Sequence, residues 1–221
     1  MSETKHKRVI GESFFTAAST LLILNLLWLV SSLPLITAAD ASASMHHVML
    51  KVVRGTDDDE IVKPFFRFFR ENFLKSLPYT FLMFAAGVSV MSLFFLLGGG
   101  ASATALAAAA PLTLIAVTLF GWVIPLFAQF DNTVGRTFSN AFNLALQNPR
   151  ETGTIAVLNS LLFVLFLFAP GIFGYALYLW LAIGHAVICR IVCGALVPVF
   201  NRLMPPSESD PADEEMIEDE E

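Results

Sequence analysis

The chain has 221 residues (24.2 kDa), of which 56% are hydrophobic and only 14% charged, against about 25% charged in ordinary soluble domains. That excludes a small water-soluble domain, which exposes too much surface to cover with so few charges. The net charge of −6 is misplaced as a guide, because nine of the 19 acids lie in Ser207–Glu221, leaving 10 acids against 13 bases elsewhere.

Three stretches contain no Asp, Glu, Lys or Arg: Ser13–Ala39, Ser76–Phe130 and Thr152–Cys189. One apolar helix crosses a bilayer with about 20 residues. The pattern predicts spans near 14–32, 36–53, 77–97, 104–127, 155–168 and 172–199. The first follows a basic start (Lys5, Lys7, Arg8) and is too long for a cleaved signal core. Leu33-Pro34 is then an outer turn, and 36–53 returns. Without that return there are five spans, and the three N-terminal bases oppose the six of Lys51–Lys75, against the positive-inside tendency. With it there are six, the outward tips carry no Lys or Arg, and both termini face the cytoplasm. Later breaks fall at Gly98-Gly99-Gly100 and Ala169-Pro170-Gly171. The expected fold is all-α: a polytopic membrane helix bundle over residues 1–204, six spans with five as the alternative. Residues 205–221 form an acidic tail predicted to be disordered.

Two amphipathic cytoplasmic helices are expected in the long loops. Pro64 suits a first helical turn. From there Phe65, Phe66, Phe69 and Phe73 share one side, with Lys63, Arg67, Arg70 and Lys75 around the rest. Such a helix lies at the interface against headgroups or a protein partner. Asp57-Asp58-Asp59-Glu60 before it lacks the alternating spacing of a calcium loop. In the second loop Asp131, beside Asn132, is placed to cap a helix over Thr133–Leu146 with Val134, Phe138, Phe142 and Ala145 as its apolar stripe. Asp131 and Asn132 are also candidate partner contacts.

Polar groups inside the predicted spans form a second candidate set, because burying them is costly without partners or water. Asp40 is placed as an interfacial cap. His46 and His47 lie about 9–10 Å further along the helix and point about 100° apart, too divergent to share one metal. His185 and Arg190 sit within the last span, and Arg190 is expected to pair with an interior carbonyl or carboxylate or to contact a polar partner helix. Cys189 and Cys193 share a helix face and read as small packing residues, with no disulfide framework in a two-cysteine chain. No nucleophile elbow, phosphate-binding glycine loop or zinc-spaced histidine pair occurs. An enzyme is not expected, nor a catalytic residue, metal, cofactor or nucleic-acid partner.

Three segments carry a resemblance: Trp28-Leu29-Val30-Ser31-Ser32-Leu33-Pro34-Leu35-Ile36-Thr37, Lys51-Val52-Val53-Arg54-Gly55, and Phe65-Phe66-Arg67-Phe68-Phe69-Arg70-Glu71-Asn72-Phe73. Together they resemble the YesL family of bacterial membrane proteins. Pro125-Leu126-Phe127-Ala128-Gln129-Phe130-Asp131-Asn132-Thr133, followed by Asn140-Ala141-Phe142, is similar to that family's second signature. The resemblance spans roughly Gly11 to Arg202. It departs at Asp40 and His46-His47, where relatives commonly carry small or aromatic residues, so nothing transfers to those three. Because family members often accompany genes of ATP-driven oligosaccharide importers, the resemblance implies an accessory subunit of such an importer in the bacterial cell membrane. The lipid bilayer and importer subunits are the implied partners. A stand-alone small-solute transporter is the alternative.

Overall fold

The computed structural model describes residues 2–55, 60–98 and 102–204, with side chains described for all of these except 2–15, 167 and 170. The acidic tail, Asp57-Asp58-Asp59, the glycine tip at 99–101 and the side chains of Lys5, Lys7 and Arg8 lie outside the described residues. Among the described residues there are helices and no strand.

Helix α1 (Ser2–Ser32) ends before Leu33-Pro34, and a 3-10 turn at Leu35–Thr37 reverses the chain. The Thr37 hydroxyl holds that reversal by donating to the carbonyls of Ser31 and Pro34. Helix α2 (Ala38–Arg54) stops at Gly55, whose φ of +73° favours glycine and whose N–H returns to the carbonyls of Lys51 and Val52. Helix α3 (Val62–Leu96) runs for 35 residues, or about 52 Å at 1.5 Å per residue. Ser102 then opens α4 (Ala103–Gln129), accepting from the Ala105 N–H at 3.3 Å. Helices α5 (Val134–Gln147) and α6 (Pro149–Phe168) follow. After Ala169 come α7 (Pro170–Leu179), a π-helical turn at Trp180–Gly184 and α8 (His185–Asn201). Three helices, Val62–Leu96, Ala103–Gln129 and Gly171–Asn201, are long and apolar enough to cross a membrane, and Thr16–Ser32 is a shorter apolar helix.

Helix α2 is the hub, packed on α1, α3, α4 and α8. It buries Ala39, Ala41, Ala43, Ser44, Met45, Val48, Met49 and Leu50. Its small residues let neighbouring backbones approach closely. The polarity that makes 36–53 look a poor span therefore reflects position, since those side chains face other helices. Large apolar groups lie on the outside instead, with Phe81, Leu96, Phe168, Tyr175 and Tyr178 all more than 70% exposed. Elsewhere α4 and α6 approach closely at Gly121, where a Cβ would overlap the Ile155 side chain and stand 2.9 Å from Asn159 Nδ2.

The two amphipathic segments differ from expectation. Lys63–Lys75 is not a separate interfacial helix but the unbroken first part of α3. Phe65 is fully buried, and Phe68 stacks on His47 with centroids 4.5 Å apart. Five phenylalanines between positions 65 and 73 make the apolar face wide enough to turn inward, and α2 occupies it. Phe66 and Leu74 remain exposed together with Lys63, Arg67, Arg70, Glu71 and Lys75, while Phe69 and Phe73 are half-buried. Helix α5 buries Thr137, Ala141 and Leu144, with Val134, Phe138 and Ala145 partly covered, whereas Phe142 points outward. Nor does Asp131 cap α5: the N-cap is Thr133, and Asp131 Oδ1 accepts from Lys75 Nζ at 3.0 Å.

Candidate functional site

The interior polar residues converge where α1, α2 and α8 meet, and the π-helical turn organises that junction. Such a turn takes a carbonyl and an N–H out of the regular i→i−4 ladder, and in an apolar interior both need partners. Asn25, fully buried on α1, serves both. Its Nδ2 donates to the Leu181 carbonyl at 2.6 Å, and its Oδ1 accepts from the Ala186 N–H at 2.9 Å. One turn further along α1, the Trp28 ring lies 4.0 Å from His185 and 5.1 Å from Trp180. Trp28 Nε1 also donates to Ser42 Oγ at 3.0 Å, tying α1 to α2.

On α2, His46 Nδ1 lies 2.7 Å from the Ser42 carbonyl. A carbonyl only accepts, so Nδ1 carries the proton and Nε2 keeps its lone pair. A His46 ring nitrogen and the Sγ atoms of Cys189 and Cys193 all lie within 4.8 Å of one another. The sulfurs are 3.9 Å apart, both cysteines are buried, and both are free thiols. His185 Nε2 is buried with no hydrogen-bond partner. A cleft of about 460 Å³ opens beside this cluster. Ser42, His46, His185 and Cys189 line one side, and Met83, Phe120, Asn159 and Phe163 close it from α3, α4 and α6.

The other expected site residues fall elsewhere. Asp40 is fully buried in the first turn of α2, and its carboxyl oxygens have no partner. It caps nothing, since Thr37 holds the N-cap position. His47 faces away from His46 and donates through Nδ1 to the Ala128 carbonyl at 3.1 Å. Arg190 does not pair inside the bundle: it is exposed and borders a separate cleft with Thr16, Thr20, Val52 and Gly55. Asn132 lines a third cleft, of about 390 Å³, with Asn140, Asn143 and Gln147.

The second sequence signature acts as a latch on the end of α2. Arg54 Nη1 donates to Gln129 Oε1 at 2.9 Å, next to the His47–Ala128 contact.

Sequence reasoning missed Asn25, Trp28 and the grouping of His46 with the two cysteines. An amide in the apolar run Thr16–Ser32 was a signal for Asn25. The last grouping has none, because its members lie 143 and 147 positions apart along the chain. No curated protein and no solved structure matches this chain. Residues 21–94, which cover the C-terminal part of α1, all of α2 and nearly all of α3, match the model of a family described as DUF624, a protein of unknown function.

Proposed function

We propose that the chain is a six-span protein of the bacterial cytoplasmic membrane, of the YesL type, that serves as an accessory subunit of an ATP-driven oligosaccharide importer through contacts and not chemistry. The spans would be α1, α2, α3, α4, α6 and the continuous α7–α8, with α5 at the cytoplasmic end. In that arrangement Lys51, Arg54, Lys63, Arg67, Arg70, Lys75, Arg136, Arg150 and Arg202 would all fall on the cytoplasmic side, as the positive-inside tendency requires.

The observation that carries the partner reading is the exposed surface at the same end. Phe66 is 43% exposed, Leu74 75%, Phe142 58% and Leu146 68%, with Arg67 and Arg70 among them. Apolar and Arg side chains mixed on one surface suit a protein interface. Affinity capture from native membranes in mild detergent tests this. Importer subunits should come down with the wild-type chain and be lost with Phe66→Glu/Leu74→Glu that remains folded. Recovery of the chain alone, together with solute flux in liposomes, would overturn it. The cleft beside His46 and His185 favours the second reading, a stand-alone carrier of a small solute, since ligand sites are concave, mostly apolar and provided with a few polar groups.

A further inference from the structure

The Cys189 thiol, one imidazole with a free lone pair and a second imidazole whose Nε2 has no hydrogen-bond partner line one cleft, with the Cys193 thiol beside that of Cys189, and packing alone does not call for that set. The geometry of the sulfurs is informative. A disulfide needs S–S near 2.05 Å, whereas Cys189 and Cys193 hold theirs at 3.9 Å. With a Zn–S bond of about 2.3 Å and tetrahedral angles, two ligating sulfurs sit about 3.8 Å apart. The observed spacing therefore admits a metal ion between the sulfurs without moving the α8 backbone. His46 presents the tautomer a ligand needs, because its Nδ1 proton is held by the Ser42 carbonyl, the usual outer-shell arrangement of a metal-binding histidine.

The donor set also selects the ion. Thiolate and imidazole donors suit Zn2+ and Cu+, whereas Mg2+, Ca2+ and Mn2+ prefer oxygen, and no carboxylate belongs to the group. Binding Zn2+ would release both thiol protons and set two thiolate charges against the dication, leaving no net charge in the interior, whereas Cu+ is balanced by releasing one proton while the second sulfur binds as a thiol.

We propose that His46, Cys189 and Cys193 form a binding site for a thiophilic d10 cation, Zn2+ or Cu+, with a further coordination position open toward the cleft and His185. This reading does not rest on the importer association. It gives the cleft a ligand of defined chemistry and gives the Asn25-clamped turn a task, since that turn fixes where α8 begins relative to α1 and α2.

The test uses the full-length chain in detergent, reduced with a phosphine and freed of metal. Cobalt(II) is the spectroscopic probe, and Zn2+ and Cu+ are the competitors. The expected result is one Co2+ per chain with a thiolate-to-metal charge-transfer band, displaced by Zn2+ or by Cu+. Which of them displaces it at the lower concentration identifies the preferred ion. Cys189→Ser and Cys193→Ser should each weaken binding by at least about 100-fold, the upper end of what losing an outer-shell partner costs. His47→Ala should leave the spectrum unchanged. Binding that is equally strong in both serine variants, or bound Co2+ without a thiolate band, would overturn the proposal, as would no retained metal. If the serine variants fail to fold, the wild-type spectrum decides alone, because the chain has no other cysteine.

Discussion

The Asn25 clamp makes a quantitative prediction. Replacing Asn25 with Leu keeps the side-chain volume but removes the partner of the Leu181 carbonyl and of the Ala186 N–H. Each is a main-chain group beside the π-helical turn, where neighbouring residues cannot replace the lost bond without changing the helical register. An orphaned buried group costs about 1–3 kcal/mol, while side-chain hydrogen bonds between membrane helices average about 0.6 kcal/mol. Two orphans at the short distances observed give a loss of about 2–4 kcal/mol. At roughly 2–4 °C per kcal/mol for a chain of this size, Tm should fall by about 5–15 °C. The molecule carries its own reporter, since Cys189 and Cys193 are its two cysteines and both are buried. A fluorogenic maleimide added to metal-free protein during a temperature ramp should react with them as α8 opens. Leu26→Ala, one residue away at a side chain 61% exposed, serves as the control and should leave the transition in place. An Asn25→Leu transition within about 2 °C of wild type would refute the reasoning, because the two bonds would then contribute nothing net.

Other substitutions test separate contacts. Gly121→Val should lower stability by about 1–3 kcal/mol through overpacking against Ile155 and Asn159, whereas Gly87→Ala, with open space around it, should change it by no more than about 1 kcal/mol in either direction; thermal ramps compare them. Asp40→Asn removes a buried carboxyl whose oxygens have no partner, so Tm should hold or rise, and a clear fall would reveal an unrecognised partner. For the latch, an Arg54→Met and Gln129→Leu double-mutant cycle should give a coupling of about 0.5–3 kcal/mol, and zero coupling would remove the latch from the account. Asp131→Ala should cost less than about 1 kcal/mol, as fits an exposed ion pair with Lys75.

Much of the helical plan was legible from where charges are absent. Runs without Asp, Glu, Lys or Arg located α1, α3, α4, α6 and α7–α8, and Leu33-Pro34, Gly98 and Ala169 located turns between them, because proline and glycine interrupt regular hydrogen bonding. The role of α2 was obscured by its composition, since hydropathy records transfer to lipid while this helix is surrounded by protein. The Phe-rich segment shows a different limit. A helical wheel identifies Phe65 and Phe66 as apolar neighbours, but not which of them α2 covers. The polar site was half visible: His46, His185 and the cysteine pair were each recognisable as residues out of place in an apolar run. Their convergence depends on how α2 and α8 pack together, a long-range contact that the local sequence around these residues does not record.

The inner seam and the exposed end place different demands on the chain, and so they can be separated by experiment. Along the seam, His185 keeps a buried ring nitrogen without a partner beside the cleft, an arrangement that lowers stability wherever nothing binds there. Such groups are understandable in a site that is completed by a ligand. At the exposed end, Phe66, Arg67, Arg70 and Leu74 face outward, and altering Arg67 and Arg70 touches only the surface, Arg67 being paired there with Glu71. Charge reversal at Arg67 and Arg70 should therefore leave the Co2+ spectrum intact while weakening partner capture. Cys189→Ser should do the opposite. If one set of variants abolished both properties without unfolding the chain, cation binding and partner docking would have to be coupled through α3 and α2, which join the two regions by the His47–Phe68 stack.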